Sequence, residues 1–299
     1  IPKWIRHRLL VLFLIFTGAL VVFQILLNLG EEEKKVTMAE ATLPLVGVQT
    51  YDHTMGELHG YRTQMDACYM RDALIPLDSK RKMDLTINTY GYDVDSVSYE
   101  VRSLDTQRKI ADTKVSDWNK DGNTWTKSLQ IENLVDEGQE YLFILKLHCK
   151  SDDLYYYTRI TLPEETYAKK CLEFTDSFHN VSMSDQYELL ASYIEPADYT
   201  DKNDLGNVNI NSSIDQIGWR GFAGKQVGDP LVSFTDINDT YASLVYTYQM
   251  AEEADGATNY YKVEEYYKVR YTDQQIYLLD YQRSMEQIID TASVNVSGH

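Results

Sequence analysis

Residues 261–271 read YKVEEYYKVRY. Tyr261, Val263, Tyr267, Val269 and Tyr271 fall on one side of an extended chain, and Lys262, Glu264, Lys268 and Arg270 on the other. A period of two with one apolar and one charged face specifies a half-buried antiparallel strand. The flanking sequence repeats the pattern. Residues 241–250 place Leu244, Tyr246, Tyr248 and Met250 on one face, and Asp255-Gly256 supplies a turn. Residues 272–275 then turn the chain into 276–281. A three-stranded antiparallel meander is therefore expected, followed by a short helix over 283–289. Tyrosine is abundant throughout, 24 residues against 8 phenylalanines. Tyrosine rings fill half-buried strand positions while the hydroxyl finds a polar partner, so the composition also points to β structure.

Earlier in the chain, alternating or β-branched runs recur at 84–90, 96–103, 125–131, 141–148 and 154–160. Gly91, Asp121-Gly122, Gly138 and Asp152-Asp153 separate them. Short strands at this spacing predict an antiparallel sandwich. Residues 134–147, LVDEGQEYLFILKL, add a local signature. A Tyr at the start of an apolar strand, just after a glycine turn, resembles the tyrosine corner of fibronectin type III and other immunoglobulin-like domains. The resemblance covers residues 83–162 and implies a fold, not an activity. Between the β-rich parts, Tyr167, Cys171, Phe174 and Phe178, then Tyr187, Leu190 and Tyr193, carry helical spacing.

The run from Leu9 to Leu27, LLVLFLIFTGALVVFQILL, holds no formal charge. At about 1.5 Å per residue it spans a ~30 Å hydrocarbon core. Lys3, Arg6 and Arg8 precede it, and Glu31, Glu32 and Glu33 follow. The basic flank stays cytoplasmic, so the remainder is expected outside the membrane. The run is longer than a signal peptide's apolar region, so an uncleaved single-pass anchor is the favoured reading. The chain begins at Ile1 and is read as a fragment or a misassigned start.

The expected architecture is mainly β with a single N-terminal transmembrane helix. It comprises a cytoplasmic flank (1–8), a transmembrane helix (9–29), a stalk (30–42) and an immunoglobulin/fibronectin III-like sandwich (43–162). A helical connector (163–197) and a second antiparallel β-rich, α+β domain (198–299) complete it.

A net charge of −18 argues against nucleic acid or an anionic membrane surface as partner. Asp117, Asn119 and Asp121, with Gly122, match the first half of a calcium loop. The match then fails, because position 12 is Ser128 rather than Glu and position 9 is Trp125. A polar hairpin loop is the favoured reading, with calcium as the candidate cofactor and no other implied. Trp118 and Trp125 bracket that loop; exposed aromatics at a sandwich edge stack on sugars in carbohydrate-binding modules, whereas core packing is their commoner role. Residues 218–225, GWRGFAGK, lack the nucleotide-loop pattern, leaving Trp219, Arg220 and Phe222 as a candidate recognition loop. Cys149 and Cys171 are a candidate disulfide, set against the simpler reading of small buried hydrophobes. No zinc, redox or nucleophile-elbow motif occurs in the sequence.

These features predict a non-catalytic, extracytoplasmic protein of a bacterial envelope. It would bind, scaffold or regulate a protein partner, and the layout loosely resembles anchored regulators of sensor kinases. The alternative is the carbohydrate- or cell-wall-binding front end of a larger surface enzyme.

Overall fold

The computed structural model describes residues 43–288 except 69–72, 132–134, 151, 195–204, 255–256 and 273–274, together with positions 4, 8 and 16–18. The expected membrane span and stalk lie almost entirely outside the described residues. Among the described residues no helix is long and apolar enough to cross a membrane.

Strands appear where apolar residues alternate. In the first half they are β1 (Leu45–Thr50), β2 (His53–His59), β3 (Leu74–Pro76), β4 (Lys82–Asn88) and β5 (Val94–Ser103). Next come β6 (Lys109–Val115), β7 (Asn119–Asp121), β8 (Thr124–Gln130), β9 (Glu140–Cys149) and β10 (Asp153–Thr161). Helix α1 (Glu165–Ser182) follows, then a 3-10 turn (Tyr187–Ser192), β11 (Asn207–Asn209) and the single-turn α2 (Ile214–Ile217). The chain closes with β12 (Lys225–Ile237), β13 (Ala242–Ala254), β14 (Ala257–Tyr271) and β15 (Ile276–Ile288).

One sheet has the order β2-β1-β4-β8-β7; the other runs β11-β15-β14-β13-β12-β3-β10-β9-β5-β6. All ladders are antiparallel except β3 on β10. In the first half the two sheets enclose an apolar core. Val46, Val48, Leu85 and Ile87 belong to one layer, and Val97, Phe143, Leu145 and Leu147 to the other. The turn before β9 is fixed by the feature noted in the sequence. Tyr141 donates its hydroxyl to the Asp136 carboxylate (3.2 Å) and accepts from the Asp136 N–H (3.2 Å). Gly138 between them sits at φ +69°, a left-handed conformation that costs glycine little.

One expectation needs correction. Residues 283–288 of the expected helix are strand instead, because β15 continues to Ile288; residue 289 lies outside the described residues. Arg283, Met285 and Ile288 stand opposite Glu265, Val263 and Tyr260 on β14, so strand pairing claims residues with helix-compatible propensity. The expected boundary at 162 falls within the course of the larger sheet. The large sheet passes from β10 through β3 to β12, where Leu74 meets Phe234. Arg159 reinforces that passage, reaching Glu140 (2.7 Å) and the Thr235 carbonyl (3.1 Å).

The expected helical connector forms part of the packing. Glu164 caps α1 by accepting from the N–H groups of Thr166 and Tyr167. The helix then lays Cys171, Phe174, Thr175, Phe178 and His179 inward. Phe178 packs edge-on to Tyr267 and tilted against Tyr281, so α1 covers the inner face of β13–β15.

Candidate functional site

The loop at 117–125 is a β-hairpin. Asp117 and Gly122 take positive φ, and Asn119–Asp121 pair with Thr124–Thr126 across it. Asn119 and Asp121 stand two residues apart on extended chain, so their Cα atoms are about 6.6 Å apart rather than wrapped around a centre. Asp117 Oδ2 accepts instead from Ser116 Oγ at 2.8 Å. Among the described residues no group of three or more His, Cys, Asp or Glu is placed to hold a metal ion. Trp125 is only 9% exposed and carries the Lys120 ammonium 3.4 Å from its ring centroid. Trp118 leans on Trp125 with centroids 6.3 Å apart. The two rings brace the hairpin against the core; Trp125 is too deeply buried to be an open stacking platform, and Trp118 is half-buried.

The 219–222 segment splits in a similar way. Trp219, 6% exposed, stacks beneath the Arg283 guanidinium (3.6 Å) and beside Phe222 (5.4 Å). Phe222 meets Tyr261 edge-on. Arg220 points outward to Asp215, so one member of the trio faces solvent and two face the protein.

The candidate Cys149–Cys171 disulfide is not formed; both are free thiols. Cys149 closes β9 at the hairpin with β10, while Cys171 lies on the buried face of α1 beside Tyr167. Burial pushes the Cys171 thiol up to about 12. Burial and then the nearby Asp153 raise Cys149 to about 11, so both stay protonated near neutrality and are poor nucleophiles.

The most unusual chemistry lies beneath α1, at a position the alternation of 261–271 already contained. Residue 265 shares the parity of Val263 and Tyr267, which puts a glutamate on the buried face. Glu265 is 0% exposed. Its Oε2 accepts from His179 Nδ1 (2.7 Å) and the Tyr267 hydroxyl (2.7 Å), and its Oε1 from the Tyr281 hydroxyl (3.0 Å). His179 Nε2 faces Gln226 Oε1 at 2.9 Å, while the Gln226 amide nitrogen donates to the Gly228 carbonyl. With that amide orientation both imidazole nitrogens face acceptors, which specifies an imidazolium. Burial alone would lower the His179 pKa, but the Glu265 carboxylate outweighs it and the net shift is upward. Burial likewise opposes ionised Glu265, and His179 and Arg283 more than offset it, so its pKa lies below the usual range.

A second set adjoins this one. Asp176 accepts from the Tyr246 hydroxyl (2.6 Å) and pairs with His53 Nε2 on β2 (3.1 Å). Arg283, 2% exposed, donates to the carbonyls of Ile217 (2.8 Å) and Gln216 (2.7 Å), satisfying the C-terminus of α2. The seam is closed: both oxygens of Glu265 are occupied from within the protein. It joins α1 to β2, β13, β14 and β15, and acts as a lock.

The opposite face of the meander is open. A groove of about 490 Å³ crosses β14, β15 and β11 there, lined by Glu264, Tyr266, Asp280, Gln282, Asn207 and Asn209 among others. None of these residues stands out in the sequence beyond the charged parity of β14. No family model matches the chain, and no curated protein is similar to it.

Proposed function

We propose that this chain is a membrane-anchored, extracytoplasmic, non-catalytic protein that serves as an envelope binding, scaffolding or signalling-regulator module. The run from Leu9 to Leu27, basic before and acidic after, supports the anchor and its cytoplasmic N-terminus. An immunoglobulin- or fibronectin III-like reading of the first half is supported by its strand order. The layer β1-β4-β8 faces β6-β5-β9-β10, with the Tyr141 hydroxyl bent back onto Asp136. One observation carries the non-catalytic reading. His53, Asp176, His179 and Glu265, the titratable groups gathered around α1, are bonded to each other or to tyrosines inside the fold.

Protease added to intact cells tests the topology. Digestion of the body without lysis is expected, with the extreme N-terminus protected. Protection of the whole chain until lysis would overturn the anchor reading. Crosslinking in the same cells is expected to trap a protein partner, and turnover of a wall or peptide substrate by purified chain would overturn the non-catalytic reading.

Of the tryptophans named for the glycan alternative, Trp125 and Trp219 are buried in packing and Trp118 is half-buried. The open groove on β14, β15 and β11 gives that reading other residues.

A further inference from the structure

We propose that the outer face of β14, β15 and β11 is a binding site for a neutral saccharide. The inference rests on the glycan reading and gives it a place, a ligand class and a set of residues. Two cross-strand rows build the site. Tyr266 stands opposite Gln282, which stands opposite Asn209; Glu264 stands opposite Ser284, which stands opposite Asn207. Neighbouring strands are about 4.8 Å apart and same-face residues about 6.8 Å apart, so the rows cover roughly 10 by 7 Å. That is the footprint of one or two pyranose rings.

The polar atoms suit hydroxyl groups, which donate and accept at once. Gln282 Nε2 donates to Asp280 Oδ2 (3.0 Å), which leaves its amide oxygen as an acceptor for a ligand. Asn209 Oδ1 accepts from the Asn211 N–H (2.9 Å), which leaves its amide nitrogen as a donor. Gln282 and Asn209 are direct cross-strand partners, so an acceptor and a donor lie side by side. Next to them is the half-exposed Tyr266 ring, held by a hydrogen bond between its hydroxyl and Ser243 (3.2 Å), and it offers an aromatic surface for sugar C–H groups.

Charge disfavours an anionic ligand. Lys268 stands opposite Asp280 and Lys262 opposite Glu286, so the flanking charges balance across the ladder. Lys268 also rests over the Tyr241 ring at 4.0 Å. Arg283, though part of the groove's lining, turns its guanidinium through the sheet onto Trp219. Among the described residues an anionic ligand therefore meets no uncommitted cation in the groove. Glu264 sits between Thr247 and Ser284, hydroxyl neighbours on both sides, and serves as an acceptor.

The test uses the full chain in a detergent without a sugar headgroup and titration calorimetry with three trisaccharides: N-acetylglucosamine (neutral), glucosamine (cationic) and galacturonate (anionic). The neutral trimer is expected to bind best. Tyr266→Ala and Gln282→Ala are each expected to weaken it at least about tenfold with an unchanged melting temperature. Tyr260→Ala, on the same face but outside the groove, is expected to bind as the parent does. Binding by the parent tests the glycan reading, and loss in the variants tests the site. Parent-like binding by both groove variants would overturn the site alone. Tighter binding of the charged trimers would overturn the ligand class, and no binding of any trimer would overturn both.

Discussion

The two halves of the body solve the same packing problem with different side chains. Between its sheets the first half is largely aliphatic, built on Val46, Val48, Leu85, Ile87, Leu145 and Leu147. Its buried Tyr156 sends a single hydroxyl to the Pro44 carbonyl at 2.8 Å. The second half packs Tyr246, Tyr267 and Tyr281, all fully buried, against Phe178 and His179. A phenol supplies as much apolar area as a phenylalanine ring but brings a hydroxyl that must be satisfied. Three such hydroxyls require acceptors, and Glu265 and Asp176 provide them. Buried carboxylates in turn require cations, met by His179, Arg283 and His53. A tyrosine-rich core therefore becomes an ionic core whose stability depends on pH on both the acid and the basic side, whereas in the first half the buried Glu100 on β5, held below the usual range by Lys146 and Arg102 against burial, adds a dependence on the acid side.

The largest test of this contrast is Glu265→Ala. Removing one partner of a buried pair leaves His179 and two tyrosine hydroxyls unsatisfied, a loss of about 3–5 kcal/mol. Urea unfolding measures it, and a loss below about 1 kcal/mol would show that the seam is not the lock described here.

The pH dependence comes next. His179 and His53 have raised pKa values, Asp176 being the main cause for His53, so their contribution is complete below the ordinary histidine value near 6.5 and is lost as pH rises through the folded values. Glu265 has a lowered pKa, so its contribution is complete above the ordinary glutamate value near 4.3 and is lost as pH falls through the folded value. Stability should thus peak between about pH 4.5 and 6.5 and decline on both sides. The double change His179→Gln with Glu265→Gln should flatten the profile, and an unchanged profile in that variant would assign the dependence elsewhere.

Tyr141→Phe sharpens the comparison from the other half. It removes one hydroxyl that bonds to Asp136 within a turn, and about 1 kcal/mol is expected with little pH dependence. A loss as large as that of Glu265→Ala would erase the distinction between the halves. The smallest effect is expected for Arg220→Ala. Its exposed pair with Asp215 is screened by solvent, so urea unfolding should barely change, and what change there is should vanish in high salt.

Much of the fold was legible in short-range pattern. Periodicity located β4, β5, β8, β9, β10, β13 and β14 within a few residues, and the helical spacing of Tyr167, Cys171, Phe174 and Phe178 located α1. The turn at Gly138 and Tyr141 was readable because all its members lie within a few residues. By contrast, β6 and β12 were not singled out: β6 interleaves Lys109, Asp112 and Lys114 with few apolar residues, and β12 carries Gly228 and Pro230. Arg283–Ile288 suggested a helix because its residue types suit one, and only the partner strand β14 decided otherwise.

The sequence by itself determined the alternation of faces, the placement of turns and the excess of tyrosine, because each is set by local backbone geometry and composition. Tertiary structure decided which tyrosines share a carboxylate, that β3 joins both halves into one sheet, and that Trp125 and Trp219 face inward. It also decided that the Glu265–His179 lock brings together residues 86 positions apart. Pairing over such distances follows from which buried surfaces meet and which polar groups must then be satisfied, and no local pattern records that.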